Sequence, residues 1–243
     1  MRQRLSALKI VFLSLLLISS CSIENQNSNR TIEDIADEIL DATMLRYPST
    51  PTFYSIKNSP HDQLYDNSLN ALKQWQIRED QWLEELDTIG EPKKVGSRDW
   101  VTFGIIYESL AASRDARVCR KELWETSTTT AWYTGLPFIF DIQPLDSANL
   151  KSQALNRLGQ VSHFIDREIQ NLTIGLSQGY SSPRITVEAV PSEVRMLLES
   201  NSPFLLMGER AEDEEFNNQV KSMFNDEIAP ALRRYADFIE HKY

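Results

Sequence analysis

The stretch from Asp66 to Ile89 contains no glycine or proline, and its apolar residues follow a helical spacing. Leu69, Leu72, Leu83 and Leu86 form one seam. Trp75, Trp82 and Ile89 repeat beside it every seven residues, until Gly90 and Pro92 end the run. A helix of this kind has one apolar stripe and is stable only when other elements cover that stripe. The same spacing recurs along the chain. Only 8 of 243 residues are glycine, and strand-like alternation is rare. The covering elements are therefore expected to be helices too.

Local signals mark the other helices. Thr31 and Asp34 have capping-box spacing, and Ile32, Ile35, Ala36, Ile39 and Leu40 follow on one stripe. Pro48 and Pro51 stop that helix, and a loop runs to about Pro60. Ser97 caps a helix to about Arg114, with Trp100, Phe103, Tyr107 and Leu110 inward. Another runs from about Arg117 to Glu125 and breaks in the β-branched run at residues 126–130. Asp146 caps a helix to about Leu158, and the next spans about Gln160 to Ser177, ending at Gly179. Pro183 and Pro191 open short helices. The last helix spans about Asp213 to His241, with Pro230 expected to kink or split it. Ala131 to Leu145 reads as the least helical part, aromatic-rich and closed by Pro144. The fold class is all-α: a multi-helix array or bundle with one irregular, aromatic-rich connection.

The N-terminus carries an address. Arg2, Arg4 and Lys9 precede the apolar run Ile10–Leu17, and Ser19 and Ser20 stand just before Cys21. A charged start, a short apolar core and small residues before a cysteine are the pattern of a bacterial lipoprotein signal, with lipid on Cys21. The apolar run falls short of the roughly 20 residues needed to span a bilayer. Residues 1–20 are thus expected to be removed, residues 21–30 to form a polar tether, and residues 31–243 to form a helical domain. The protein would be lipid-anchored in the cell envelope. Ser22, in place of an aspartate, favours the outer membrane facing the periplasm in a Gram-negative cell. Loss of Arg2, Arg4 and Lys9 leaves 22 basic residues against 35 acidic ones, a net charge of −13. No basic stripe offers itself to nucleic acid. With Cys21 lipidated, Cys119 has no partner for an intrachain disulfide, and it reads as a small core residue.

No catalytic constellation emerges, and no catalytic, metal or cofactor-binding residue is assigned. His61, His163 and His241 belong to no His-Glu-x-x-His helix. His163 and Asp166 are an i, i+3 pair that could touch a metal, but no third ligand accompanies them. His61-Asp62 reads as turn or helix-start chemistry after Pro60. There is no nucleophile elbow, phosphate-binding glycine loop or Cys-x-x-Cys pair. The acidic run Glu212–Glu215 reads as favourable charge at a helix start. Of the five tryptophans, four fall in expected helices and read as core. Trp132 and Tyr133 are the best candidates for a functional surface.

The second half carries a resemblance. Asn156-Arg157-Leu158, His163-Phe164-Ile165-Asp166 and Ile169 lead into Leu172, Gly175-Leu176, Gln178-Gly179-Tyr180, Pro183-Arg184 and Val187-Glu188. Ser202-Pro203-Phe204, Ile228-Ala229-Pro230-Ala231-Leu232, Tyr235, Phe238 and Ile239 follow in order. This series resembles the bacterial domain-of-unknown-function 885 family over roughly residues 31–243. The resemblance implies an exported, mostly helical protein related to zinc metallopeptidases, whose His-Glu metal motif lies in a second half. No position here matches that motif, so zinc is implied only for full-length family members.

Three readings follow. The first is the non-catalytic N-terminal half of such a protein, inactive alone, left by truncation or a split gene. Its last helix would then expose an apolar face, giving self-association or awaiting a missing C-terminal half. The second is a binding or scaffold lipoprotein acting through Ala131–Leu145. The third is a metal-dependent hydrolase using His163 and nearby carboxylates.

Overall fold

In a computed structural model of the chain, residues 30–129 and 131–243 are described. The expected signal peptide, the expected lipidation site Cys21 and nearly all of the expected tether lie outside these residues. Among the described residues there are α-helices, short 3₁₀ turns and one π turn, and no strand. Thr31–Tyr243 form one compact unit.

Helix α1 (Ile32–Arg46) begins where Thr31 predicts. The Thr31 hydroxyl accepts from the Asp34 backbone N–H, and Asp34 accepts from the Thr31 N–H. Within the expected loop a short helix, α2 (Thr50–Phe53), forms with Pro51 in its first turn. Helix α3 (Leu69–Ile89) is capped by the Ser68 hydroxyl, three residues later than the sequence suggests. Helix α4 (Arg98–Ala116) is capped by Ser97. Ile35, Trp82, Leu83, Leu86, Phe103 and Leu110 on α1, α3 and α4 bury themselves in one hydrophobic cluster.

The remaining helices enclose a larger cluster. They are α5 (Trp132–Asp141), α6 (Ala148–Leu158), α7 (Val161–Ser177), α8 (Arg184–Val187), α9 (Val190–Met196), α10 (Pro203–Arg210), α11 (Glu214–Met223) and α12 (Ala229–His241). Between α4 and α5, two 3₁₀ turns (Arg117–Cys119 and Lys121–Leu123) stand where a continuous helix was expected. Arg120 between them adopts a left-handed conformation, which interrupts helical hydrogen bonding.

Several expectations need correction. The connection at Ala131–Leu145 is not irregular: ten of its residues form α5 around Pro137. Tyr133, Leu136, Ile139 and Phe140 all face the core, and that burial outweighs the poor local propensity. Ser147, not Asp146, caps α6. Cys119 is exposed rather than buried, on a short turn whose backbone never enters the core. The split of the last helix comes just before Pro230. A π turn (Phe224–Ile228) joins α11 to α12 and absorbs the hydrogen bond that Pro230 cannot donate. The apolar face of α12 is not left bare. Leu232, Tyr235 and Ala236 are at most 1% exposed, packed against α9 and α7. The last helix therefore supplies no exposed stripe for self-association.

Candidate functional site: an enclosed carboxyl beside a side-chain-laced strap

Residues 61–67 run as an irregular strap across α6 and α7. Such a segment has no ladder for its backbone polar groups, so side chains must satisfy them. Gln153 accepts from the His61 N–H at 2.8 Å. Gln160 spans the strap, accepting from the Leu64 N–H and donating to the Asp62 carbonyl. Asn171 donates to the Asn67 carbonyl at 2.8 Å.

Arg157 anchors the strap from beneath. It is fully buried, and its guanidinium donates to the carbonyls of Gln63 and Pro48, to Gln143 Oε1 and to Thr52 Oγ1. Among the described residues no carboxylate pairs with it, and burial lowers its pKa to about 10 against the weaker pull of Asp62. Thr52 Oγ1 also lies 2.8 Å from His61 Nδ1. Arg157 donates to that buried hydroxyl, so among the described residues the acceptor offered to the Thr52 proton is His61 Nδ1, an arrangement that fits a neutral imidazole with its proton on Nε2. Burial, reinforced by Arg157, depresses the His61 pKa below its usual 6.5. His61 is thus a structural residue rather than a turn residue. It borders an open cleft of about 820 Å³ shared with Lys57, Asn58, Asp146 and Asn149.

Where the strap meets α3, a smaller pocket of about 290 Å³ opens between the two hydrophobic clusters. Arg46, Tyr47 and Leu72 line one side. Trp132, Glu168 and Leu172 line the other, with Tyr65 and Asn67 of the strap between them. Glu168 is its chemical centre. Its carboxylate accepts one hydrogen bond, from Asn67 Nδ2 at 2.6 Å, and Asn67 is itself held by the Phe164 carbonyl. Among the described residues no cation pairs with Glu168. Burial raises its pKa to about 7, and the Asn67 bond offsets this only in part. Burial likewise pushes the Tyr65 phenol upward, with the Glu168 charge adding to it. The Arg46 guanidinium lies 5.6 Å from the Tyr47 ring centroid and 5.7 Å from that of Tyr65, and it also donates to the Asp66 carbonyl.

The residues singled out in the sequence are scattered by the fold. Tyr133 is buried, donating to the Ser127 carbonyl at 2.6 Å, and presents no surface. Trp132 reaches the pocket, edge-on to Phe164 and Tyr235. His163 is exposed and faces Arg167, while Asp166 is held by both nitrogens of the Arg234 fork. That pairing removes the carboxylate a His163 metal site would need. Asp213 caps α11 and binds Lys151, as a helix-start charge should. Glu168 was not singled out, and Arg157 entered only as part of the family series, yet both left a trace. Glu168 lies four residues from Phe164 and Leu172, and Arg157 sits between Ala154 and Val161. Each is a charge set into a buried stripe.

The sequence model of a family described as "Bacterial protein of unknown function (DUF885)" matches residues 48–243. The chain belongs to this family. The DUF885 match takes in the strap, Arg157 and Glu168, and it begins after α1. No curated protein matches the chain. The zinc that the metallopeptidase resemblance implies does not fit the residues present. Among the described residues, one group of His and carboxylate side chains could converge on a cation: Asp237, Glu240 and His241. All three are exposed, and Arg195 already pairs with both carboxylates. A single histidine in an arginine-neutralised surface cluster is not a peptidase zinc site. Among the described residues, no helix is long and apolar enough to cross a membrane.

Proposed function

We propose that this DUF885 protein is an envelope lipoprotein, anchored through lipid on Cys21. Its helical body would bind a ligand, as the non-catalytic part of a metallopeptidase-like architecture. The observation that carries the binding reading is the Glu168 pocket. A half-buried carboxyl with no cationic partner among the described residues is costly to fold around, and pockets with convergent polar groups and a perturbed pKa are the usual place for ligands. The anchor reading rests on the pattern from Arg2 to Cys21.

Growth with an alkyne-tagged palmitate should label the wild-type chain in the membrane fraction, and Cys21→Ala should lose both label and membrane association. An unlabelled wild type would sink the anchor. A photo-crosslinking residue at position 47, on the exposed rim, should yield discrete adducts in the envelope. A ladder no different from that of a probe at exposed position 185 would sink the binding reading.

A scaffold reading has one observation of its own. Phe138 is 46% exposed and lies 6.2 Å from exposed Phe53, which meets exposed Tyr54. This aromatic patch is where α5 would meet a partner. Loss of a partner on Phe138→Ser, with Tyr47 adducts retained, would favour it.

A further inference from the structure

We propose that the Glu168 pocket is a binding site for a primary ammonium group, carried by a lysine-like alkyl chain or by the α-amino end of a small molecule or peptide. The inference rests on the binding reading above and names its chemistry.

Four observations converge on a cation. Among the described residues lining the pocket, Glu168 is the carboxylate without an ion-pair partner, and its hydrogen-bond donor is the neutral Asn67 amide. One amide leaves most of a carboxylate's acceptor capacity unused. Part of the wall is aromatic, Tyr65 and Trp132, and the Arg46 guanidinium over the Tyr65 ring shows that this wall already accommodates a cation. The charges at the mouth are already committed. Lys121 pairs with Glu125, Glu122 with Arg120, and Arg46 lies against Tyr47 and Tyr65. None of these reaches Glu168 as an ion-pair partner. Finally, a volume of about 290 Å³ admits an amine with a short chain but no folded segment.

Burial keeps Glu168 half protonated near neutrality. An arriving ammonium stabilises the ionised form, so binding releases the residual proton. Affinity should then rise with pH until Glu168 is fully ionised. The other titratable groups facing the pocket are Tyr47, Tyr65, Arg46, Lys121, Glu122 and Glu125, with Tyr235 behind it. Burial pushes the Tyr65 and Tyr235 phenols further up, away from neutrality, and Glu168 is left to set the profile.

The test is a ligand-detected NMR titration of the full chain in detergent micelles. The probes are n-butylammonium, glycinamide and neutral n-butanol. At pH 7, n-butylammonium or glycinamide should bind and n-butanol should not. The tighter of the two amines assigns the alkyl or the α-amino source. The n-butylammonium affinity should fall about tenfold from pH 8 to pH 6. Glu168→Gln keeps the Asn67 contact and should weaken binding at least tenfold at pH 8. The wild-type pH profile remains decisive if that variant folds poorly. Three results would overturn the proposal: neither amine binding, butanol matching butylammonium, or an affinity flat with pH. Any of them would leave palmitate labelling and the position-47 adducts untouched, so failure of the ammonium chemistry is distinguishable from failure of the binding reading.

Discussion

Gly175 of α7 lies directly against the backbone of Leu123. A Cβ placed on Gly175 would sit 1.8 Å from the Leu123 carbonyl oxygen, far inside contact distance. The glycine is needed for close approach rather than for a turn, since the turn ending α7 belongs to Gly179, with φ of +83°. There the Tyr180 N–H bonds the Gly175 carbonyl and the Gly179 N–H bonds the Leu176 carbonyl. This contact holds the 3₁₀ turn, and with it the mouth residues Lys121 and Glu122, against α7. Gly175→Ala should destabilise the domain by about 3 kcal/mol, because backbone cannot move aside as a flexible side chain can. Thermal melting followed by circular dichroism would measure it.

Arg157→Met should be costly for a different reason. The methionine fills similar space, but two carbonyls, the Thr52 hydroxyl and the Gln143 oxygen lose a donor at buried and part-buried positions. The expected loss is about 3 kcal/mol or more in chemical denaturation. Limited proteolysis of the variant should cut first within residues 55–67, where the strap is released.

His61 gives the fold an acid-sensitive component. Its folded pKa lies below the unfolded value of 6.5, so the unfolded chain binds the extra proton first. Its contribution is present above pH 6.5 and is lost as pH falls towards the depressed value. Denaturation midpoints should drop on acidification from pH 7, and His61→Gln should flatten that slope. Parallel slopes in the two proteins would remove His61 as the cause.

Glu168 acts with the opposite sign. Its folded pKa of about 7 exceeds the ordinary 4.5, so it is harmless below pH 4.5 and increasingly unfavourable as pH rises through 7. Glu168→Gln should gain stability over the wild type between pH 4.5 and 7, reaching roughly 3 kcal/mol and then levelling off. A gain that does not vary with pH would mean that packing, not ionisation, is responsible.

Tyr133→Phe should cost about 1 kcal/mol through loss of the bond to the Ser127 carbonyl, without affecting position-47 adducts. A large loss of adducts with unchanged stability would restore Tyr133 as a surface residue.

Local signals are legible in the sequence. Thr31, Ser97 and Asp213 cap the helices they precede, because a cap is made by residues three apart in sequence. Family membership was legible in the order of Gly175, Pro183, Pro203 and Pro230. Cys119 and Tyr133 were misplaced because exposure depends on what the rest of the chain covers. The pocket was illegible for the same reason: Asn67 and Glu168 are 101 residues apart.

The sequence by itself determined an all-helical chain, the starts of most helices and the pattern expected of a lipid anchor. Those follow from spacing, capping and composition, which act over a few residues. Tertiary structure alone decided that Pro137 lies inside a helix and that α12 has a covered face. It also decided that Arg157 and Glu168, two charges on apolar stripes, become a strap anchor and an enclosed acid. Burial and pairing across distant segments set the energy of a charge, and neither is encoded at the position of the charge itself.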